Sequence, residues 1–254
     1  MFLTRVFRYD NERKNYISIF QMNRIHNQLI PIITIDGPSG TGKGTISHKL
    51  AHHLGWHYLD SGAIYRALAW VASKYSVDFN DVNALVQLAL EFSVSFEVGD
   101  DLQSRTYHDA HDISEFIRTE LCGQNASKIA ALSEVRQALL ARQRAFVQSP
   151  GLVTDGRDMG TVVFPLADLK IFLYASVEER AHRRFLQLKN TQNDVNLAQI
   201  IEQLVERDTR DTQRACAPLK PAEDAIQIDT TGLSVDQVFD KVLYFVKKGI
   251  KVKM

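Results

Sequence analysis

Pro31-Ile32-Ile33-Thr34-Ile35-Asp36-Gly37-Pro38-Ser39-Gly40-Thr41-Gly42-Lys43-Gly44-Thr45 passes from a short β-rich apolar run into a glycine-rich turn that ends on a lysine. A helical pattern follows at once, with Ile46, Leu50 and Leu54 at four-residue spacing. Strand, glycine loop, lysine and helix in that order form the setting of a phosphate-binding loop. Glycines let backbone N–H groups turn inward around phosphate oxygens, and the helix N-terminus adds its positive end. Lys43 then reaches the outer phosphates. The bland alternative is a glycine turn that binds nothing, and the flanking strand and helix argue against it. One departure stands out. Ser or Thr usually follows the lysine, whereas here Gly44 follows and Thr45 comes next. Thr45 is assigned to phosphate, and its contact with a metal is left open.

Outward from the loop, short apolar strands alternate with helical stretches. Strand-like runs fall at 31–35, 56–59, 152–154, 169–174 and 225–229, and helical patterns fill most of the intervals. This predicts an α/β fold whose parallel five-stranded sheet is covered by helices on both faces. Between Ser93 and Tyr107 the pattern changes to period two around a Gly99-Asp100-Asp101 turn, as in a small antiparallel piece. Helical sequence then resumes from about Ser114 to Gln148.

Two further groups carry chemistry. Val153-Thr154-Asp155-Gly156-Arg157-Asp158 ends a strand, at the edge where open α/β sheets bind ligands. There Asp155 is placed to hold Mg²⁺ through water and Arg157 to reach phosphate; the alternative is an Asp-Gly turn closed by an ion pair. Downstream of Asn196, helical spacing puts Leu197, Ile200, Leu204, Arg207, Asp211 and Arg214 on one face. An apolar stripe therefore turns charged, which is costly unless the charges are paired or liganded. Arg183 and Arg184 on the preceding helix add to the group. A solvated, salt-bridged helix end is the competing reading.

Composition bounds the rest. The 254 residues include 30 Lys+Arg and 30 Asp+Glu, so the net charge is zero, which argues against gripping nucleic acid by positive field. Cys122 and Cys216 sit in no metal-ligand or disulfide spacing, as expected for a reducing cytoplasm. Neither a bilayer-spanning run nor the apolar core of a secretory signal is present, so no membrane partner is expected. Residues 1–29 read as a poorly ordered extension, or as the product of a start placed too early, with Met22 as the alternative first residue.

GPSGTGKGT (37–45), LDSGAIYR (59–66), NASKIA (125–130), EVRQALL (134–140), DGRDMGTVVFP (155–165), EERAHRR (178–184) and ERDTRDTQRACAPL (206–219) together resemble the bacterial cytidylate kinase family. The resemblance implies one P-loop kinase domain over 30–254. It would carry a nucleoside-monophosphate-binding insert at about 61–140 and a short lid at about 178–190. It further implies that Gly37, Pro38, Ser39, Gly40, Thr41, Gly42, Lys43, Gly44 and Thr45 hold ATP with Mg²⁺. Ser61, Arg66, Arg157 and Arg214 would bracket the acceptor phosphate, while Ser127, Arg136 and Asp158 would contact cytosine. Arg207 and Asp211 would meet the ribose, and Arg183 and Arg184 would close over the phosphates beside Lys43 and Arg157. The expected enzyme is a monomer that moves the γ-phosphate of ATP to CMP or dCMP.

Two rivals remain at this point. Another small-molecule kinase acting on a hydroxyl would want a base carboxylate, for which Asp36 or Asp60 is available. A nucleotide-binding switch would usually carry an NKxD segment after a strand, and the nearest piece here, Asn190 to Asp194, follows a helix.

Overall fold

The computed structural model describes residues 24–25, 28–98, 104–189 and 195–249. The expectations for the stretch before Arg24, for the turn at 99–101 and for 190–194 lie outside the described residues. The described residues form two compact units, one running Ser61–Arg142 and the other made of those before Ser61 together with those from Gln143 onward.

The second unit is built on a sheet. After a two-residue antiparallel pair, β1 (Arg24–Ile25) with β2 (Gln28–Leu29), comes β3 (Ile32–Asp36). The loop and α1 (Lys43–Leu54) lead to β4 (His57–Asp60). The remaining strands of this sheet are β8 (Leu152–Gly156), β9 (Leu169–Tyr174) and β10 (Ile226–Asp229). The order is β10-β9-β3-β8-β4 and every pairing is parallel. β3 and β8 are buried along their whole length, which explains their continuous apolar reading: strands covered on both faces have no solvent side to alternate toward. Ile33, Ile35, Val153 and Leu173 from the sheet pack with Leu50 of α1 and Val242 of the closing helix. Because all five strands run one way, their carboxyl ends share one edge. Asp36, Asp155 and the glycine loop are all delivered there.

The smaller unit is helical with an antiparallel sheet. Its first helix, α2 (Ser61–Lys74), buries Ile64, Leu68 and Val71 along with a run of alanines. Next come α3 (Val82–Glu91), capped by Asp81 through Ala84 N (2.9 Å), and the sheet β5 (Val94–Val98), β6 (Ser104–His108) and β7 (His111–Asp112). The helical sequence expected from about Ser114 forms three helices: α4 (Ser114–Ile117), α5 (Glu120–Ile129) and α6 (Ser133–Arg144). Thr119 restarts the chain by accepting from Cys122 N at 3.3 Å, a capping bond that competes with continuation of the helix.

Beyond β8, where no helix is expected from the residue pattern, Met159–Val163 forms one π turn. Both oxygens of Asp36 are used to start it, accepting from Met159 N (2.9 Å) and Gly160 N (2.8 Å). A Cβ at Gly160 would fall 2.8 Å from Thr34 Oγ1 and 3.2 Å from Lys170 Cδ, so the turn sits directly on the sheet. The unit closes with α7 (Val177–Lys189), α8 (Leu197–Gln213) and α9 (Val235–Gly249). No described helix is long and apolar enough to cross a membrane.

Gly160→Ala is therefore expected to lower unfolding stability by about 1–3 kcal/mol, the usual cost of overpacking a tight interior. A denaturant melt with an unchanged midpoint would show that the turn yields freely.

Candidate active site

Gly37 opens the loop at a point of close approach: a Cβ there would lie 2.1 Å from the Leu173 carbonyl oxygen of β9. At the other end Gly42, with φ 86°, precedes α1, whose N-terminus carries no side-chain cap. Uncapped helical N–H groups at that position are available to an anion.

The loop is held by its carbonyls. Lys43 Nζ and Thr41 Oγ1 both donate to Pro38 O at 3.1 Å. Arg180 Nη1 donates to Ser39 O at 3.1 Å, and Thr230 Oγ1 to Thr41 O at 3.3 Å. Lys43 itself is only 9% exposed. Burial, then the nearby Arg157 and Arg207 charges, lower its pKa to about 7, against the opposing pull of Asp155 and Asp60.

The carboxyl end of β8 faces this lysine. Asp155 is buried and accepts from Tyr58 Oη at 2.7 Å. Arg157 donates through Nε to Asp211 Oδ2 at 2.8 Å, and Arg214 Nη2 lies 3.5 Å from Asp158 Oδ1. Burial pushes the Asp211 carboxyl up, but Arg157, Arg207 and Arg214 outweigh it and hold it below the usual range. The charged face of α8 is thus inward and paired. Asp211 is 3% exposed and Arg214 8%, which overturns the solvated-helix-end alternative; Leu197, at the start of the same stripe, is exposed. The ion pair of Arg157 is made with Asp211 rather than within the Asp-Gly-Arg-Asp turn.

The two arginines expected over the phosphates are placed differently from each other. Arg183 donates to Glu179, to Thr230 O (2.6 Å), to Leu233 O and to Thr41 O (3.4 Å), so its guanidinium braces the outside of the loop. Arg184 reaches Gln187 on its own helix at 3.4 Å. Arg180, which sequence reasoning missed, is the buried one. It holds Ser39 O and pairs with Asp208 of α8 at 2.7 Å. Its spacing from Arg183 and Arg184, three and four residues, was the available signal. Tyr58 was missed too.

In the Ser61–Arg142 unit, Ser61, Ser127 and Arg136 are buried and Arg66 is half-buried. Arg136 donates to Ala130 O at 3.3 Å, with its guanidinium 5.7 Å from the Tyr65 ring centre. Cys122 Sγ donates to the Arg66 carbonyl at 3.2 Å.

Among the described residues no group of three or more His, Cys, Asp or Glu is placed to hold a metal unaided. The donor chemistry nevertheless fits Mg²⁺, which takes one or two carboxylates and completes its shell with phosphate oxygens and water. Asp155 is the carboxylate beside Lys43, with both oxygens about 4 Å from a Cβ built on Gly44. Thr45 is exposed on α1.

A buried lysine after a glycine loop, backed by guanidinium groups anchored on carboxylates, is suited to binding and neutralising polyphosphate, and this places the chain in the class of P-loop kinases. The cytidylate kinase family model matches residues 33–248. Cytidylate kinase of Stutzerimonas stutzeri is 57% identical, covering 84% of this chain and 94% of its own. Those of Pseudomonas fluorescens (55%; 85% and 95%) and Shewanella denitrificans (53%; 87% and 97%) are similar over the same span. The chain belongs to the cytidylate kinase family, and it is an enzyme, a nucleoside monophosphate phosphotransferase.

The lowered pKa of Lys43 has a measurable sign. Its folded value of about 7 lies below the ordinary lysine value of 10.5, so the folded protein binds fewer protons than the unfolded chain between those limits. Its contribution to stability is complete above the upper limit and is lost as pH falls toward 7. Phosphate arriving beside it restores the charge. At pH 8, where a terminal phosphate with a pKa of about 6 is already ionised, ATP binding is expected to take up close to one proton. Calorimetry in buffers of differing ionisation enthalpy measures this, and equal uptake by Lys43→Met would assign the proton elsewhere.

Proposed function

We propose that this chain performs the transfer its family is named for, moving the γ-phosphate of ATP to CMP or dCMP to give CDP or dCDP and ADP. The observation that carries the reading is the burial of Lys43 beside Asp155 and Arg157 at the carboxyl edge of a parallel sheet, within a chain matched by the cytidylate kinase family model.

A nucleoside monophosphate is an oxyanion near neutral pH, its second pKa being about 6, so the acceptor needs no base. The obstacle is repulsion between two polyanions that must be brought into line. Residues Gly37–Thr45 hold the ATP phosphates, and Lys43 leaves Pro38 O to follow the migrating group. Bound Mg²⁺, carried by ATP and faced by Asp155, supplies further charge neutralisation. Arg157 and Arg214, fixed by Asp211 and Asp158, present planar forks to the acceptor phosphate, a task arginine performs better than lysine. Arg207 and Asp211 serve the ribose, and Asp158 the cytosine amino group.

Ser61 and Arg66 are assigned to the acceptor phosphate, and Ser127 and Arg136 to the base. The Ser61–Arg142 unit is read as the nucleoside-monophosphate-binding insert. The stretch from Glu178 to residue 190 is read as the lid, which brings Arg184 over the phosphates and excludes water; Arg183 contributes by keeping the loop in shape. The chain is read as a cytoplasmic monomer acting on small molecules, with no nucleic acid or membrane partner; its zero net charge is in keeping with the lack of a nucleic-acid partner.

The rival that phosphorylates a hydroxyl loses one of its two carboxylates. Asp36 has both oxygens engaged by backbone N–H groups. An ADP-release assay with CMP, dCMP, UMP and AMP tests the reading directly, and preference for any acceptor other than a cytidine nucleotide would refute it. In the same assay Lys43→Met is expected to abolish turnover while weakening ATP binding far less.

Asp158→Ala tests base choice. An ionised carboxylate only accepts hydrogen bonds, so it attracts the cytosine amino group and repels the uracil carbonyl in its place. Loss of about 1–3 kcal/mol of discrimination should shrink the CMP/UMP ratio of kcat/KM by roughly five- to a hundredfold. An equal fall for both substrates would assign Asp158 to holding Arg214 alone.

A further inference from the structure

The glycine after the loop lysine leaves a question that the family match does not answer. A lysine-plus-hydroxyl loop places Ser or Thr where Gly44 stands, and that hydroxyl would serve the metal side of the nucleotide. Thr45 is exposed on α1. The structure shows what borders the missing side chain. A Cβ built on Gly44 would lie 3.8 Å from Tyr58 Oη, 3.9 Å from Asp155 Oδ2 and 4.0 Å from Asp155 Oδ1. A hydroxyl one bond further out would enter hydrogen-bonding range of that pair.

Tyr58 belongs to β4, the edge strand, and reaches its partner on the adjacent strand, β8. Its hydroxyl donates to Asp155 Oδ1 at 2.7 Å, the short length of a bond to an ionised acceptor. The ring is itself held in place. His48, one turn into α1, meets it edge to face with centroids 5.5 Å apart and planes at 83°. The helix that begins at the loop lysine therefore steadies the tyrosine that holds the carboxylate.

We infer that Tyr58 is the positioning residue of Asp155, its hydroxyl fixing from the edge strand the carboxylate that borders Gly44. The inference rests on Asp155 being the carboxylate that faces Mg²⁺–ATP. Tyr58 touches neither nucleotide nor metal. Its effect is on the orientation of one carboxylate, so it should appear only when the metal is present.

The experiment measures the ATP dissociation constant by calorimetry, once with excess Mg²⁺ and once with a chelator. The proteins are the unaltered chain, Tyr58→Phe, Asp155→Asn and the double variant Gly44→Ser/Tyr58→Phe. Tyr58→Phe keeps the ring and its contact with His48, and its melting temperature is checked alongside. Loss of one hydrogen bond to a charged group is expected to weaken Mg²⁺–ATP binding by about five- to tenfold. Binding in chelator should change less than about twofold. Gly44→Ser should recover much of the loss, because its Cβ has ordinary clearance from both neighbours.

The failures separate. If Asp155→Asn leaves the Mg²⁺ dependence intact, the carboxylate does not face the metal, and both readings fall. If Asp155→Asn loses it and Tyr58→Phe does not, the positioning role alone is overturned. Equal weakening of Tyr58→Phe with and without Mg²⁺, or no recovery in the double variant, also overturns it by assigning the loss to packing of the loop.

Discussion

Lys43 is buried beside two guanidinium groups, and much of the surrounding structure serves to make that tolerable. Burial and the charges of Arg157 and Arg207 all disfavour its protonated form. Several cations sharing one low-dielectric volume repel one another strongly in the absence of anions. Carboxylates are interleaved to hold them: Asp155 near the lysine, Asp211 on Arg157, Asp158 on Arg214. Polyphosphate entering such a volume offsets the repulsion among its cations. That is the electrostatic arrangement wanted for bringing two anions together, because the donors are already aimed and need little reorganisation.

The parallel sheet makes this crowding possible. Five strands running one way send Asp36, Asp155 and the glycine loop to one edge, while α8 carries Arg207 and Asp211 on one face and Arg214 as the extended residue that caps its end. A strut then links the two. Arg180 binds the carbonyl of Ser39 in the loop and the carboxylate of Asp208 on α8. Arg183 ties Thr41 to Thr230 and Leu233 at the end of β10. Both arginines sit in the first half of α7, so that half cannot swing without releasing loop carbonyls.

The parts of this organisation that could be read from the sequence are those written in local pattern. The run PIITIDGPSGTGKGT placed a strand, a loop and a helix correctly because each is defined by neighbouring residues. The charged turn of the α8 face was equally visible, since it is a departure from helical period. The π turn was not, because its cause lies elsewhere: Asp36 and Met159 are 123 positions apart. The same holds for Tyr58 on Asp155, separated by 97 positions, and for Arg180 on Ser39, by 141. The division of that helical stretch into α4, α5 and α6 was local in origin but weak in signal. Thr119 as a cap looks like any other threonine inside a helical pattern until its bond to Cys122 is seen.

A carboxylate at the end of a central strand, beside a phosphate loop, invites reading as a base, and here the geometry directs it to another use. Both oxygens of Asp36 accept N–H groups at the start of the π turn, and burial raises its pKa to about 6 despite those bonds. An ionised carboxylate is the stronger acceptor of those two N–H groups, so the bonds that start the turn are weakened when this group is protonated. Asp155 is similarly engaged by Tyr58, and Asp211 by Arg157. These acids are spent on holding backbone and cations in place rather than on moving protons. This division of roles follows from the acceptor chemistry. An enzyme that must deprotonate a hydroxyl needs a carboxylate left open toward it, whereas one that accepts a phosphate oxyanion can commit its carboxylates to architecture and leave the chemistry to positive charge.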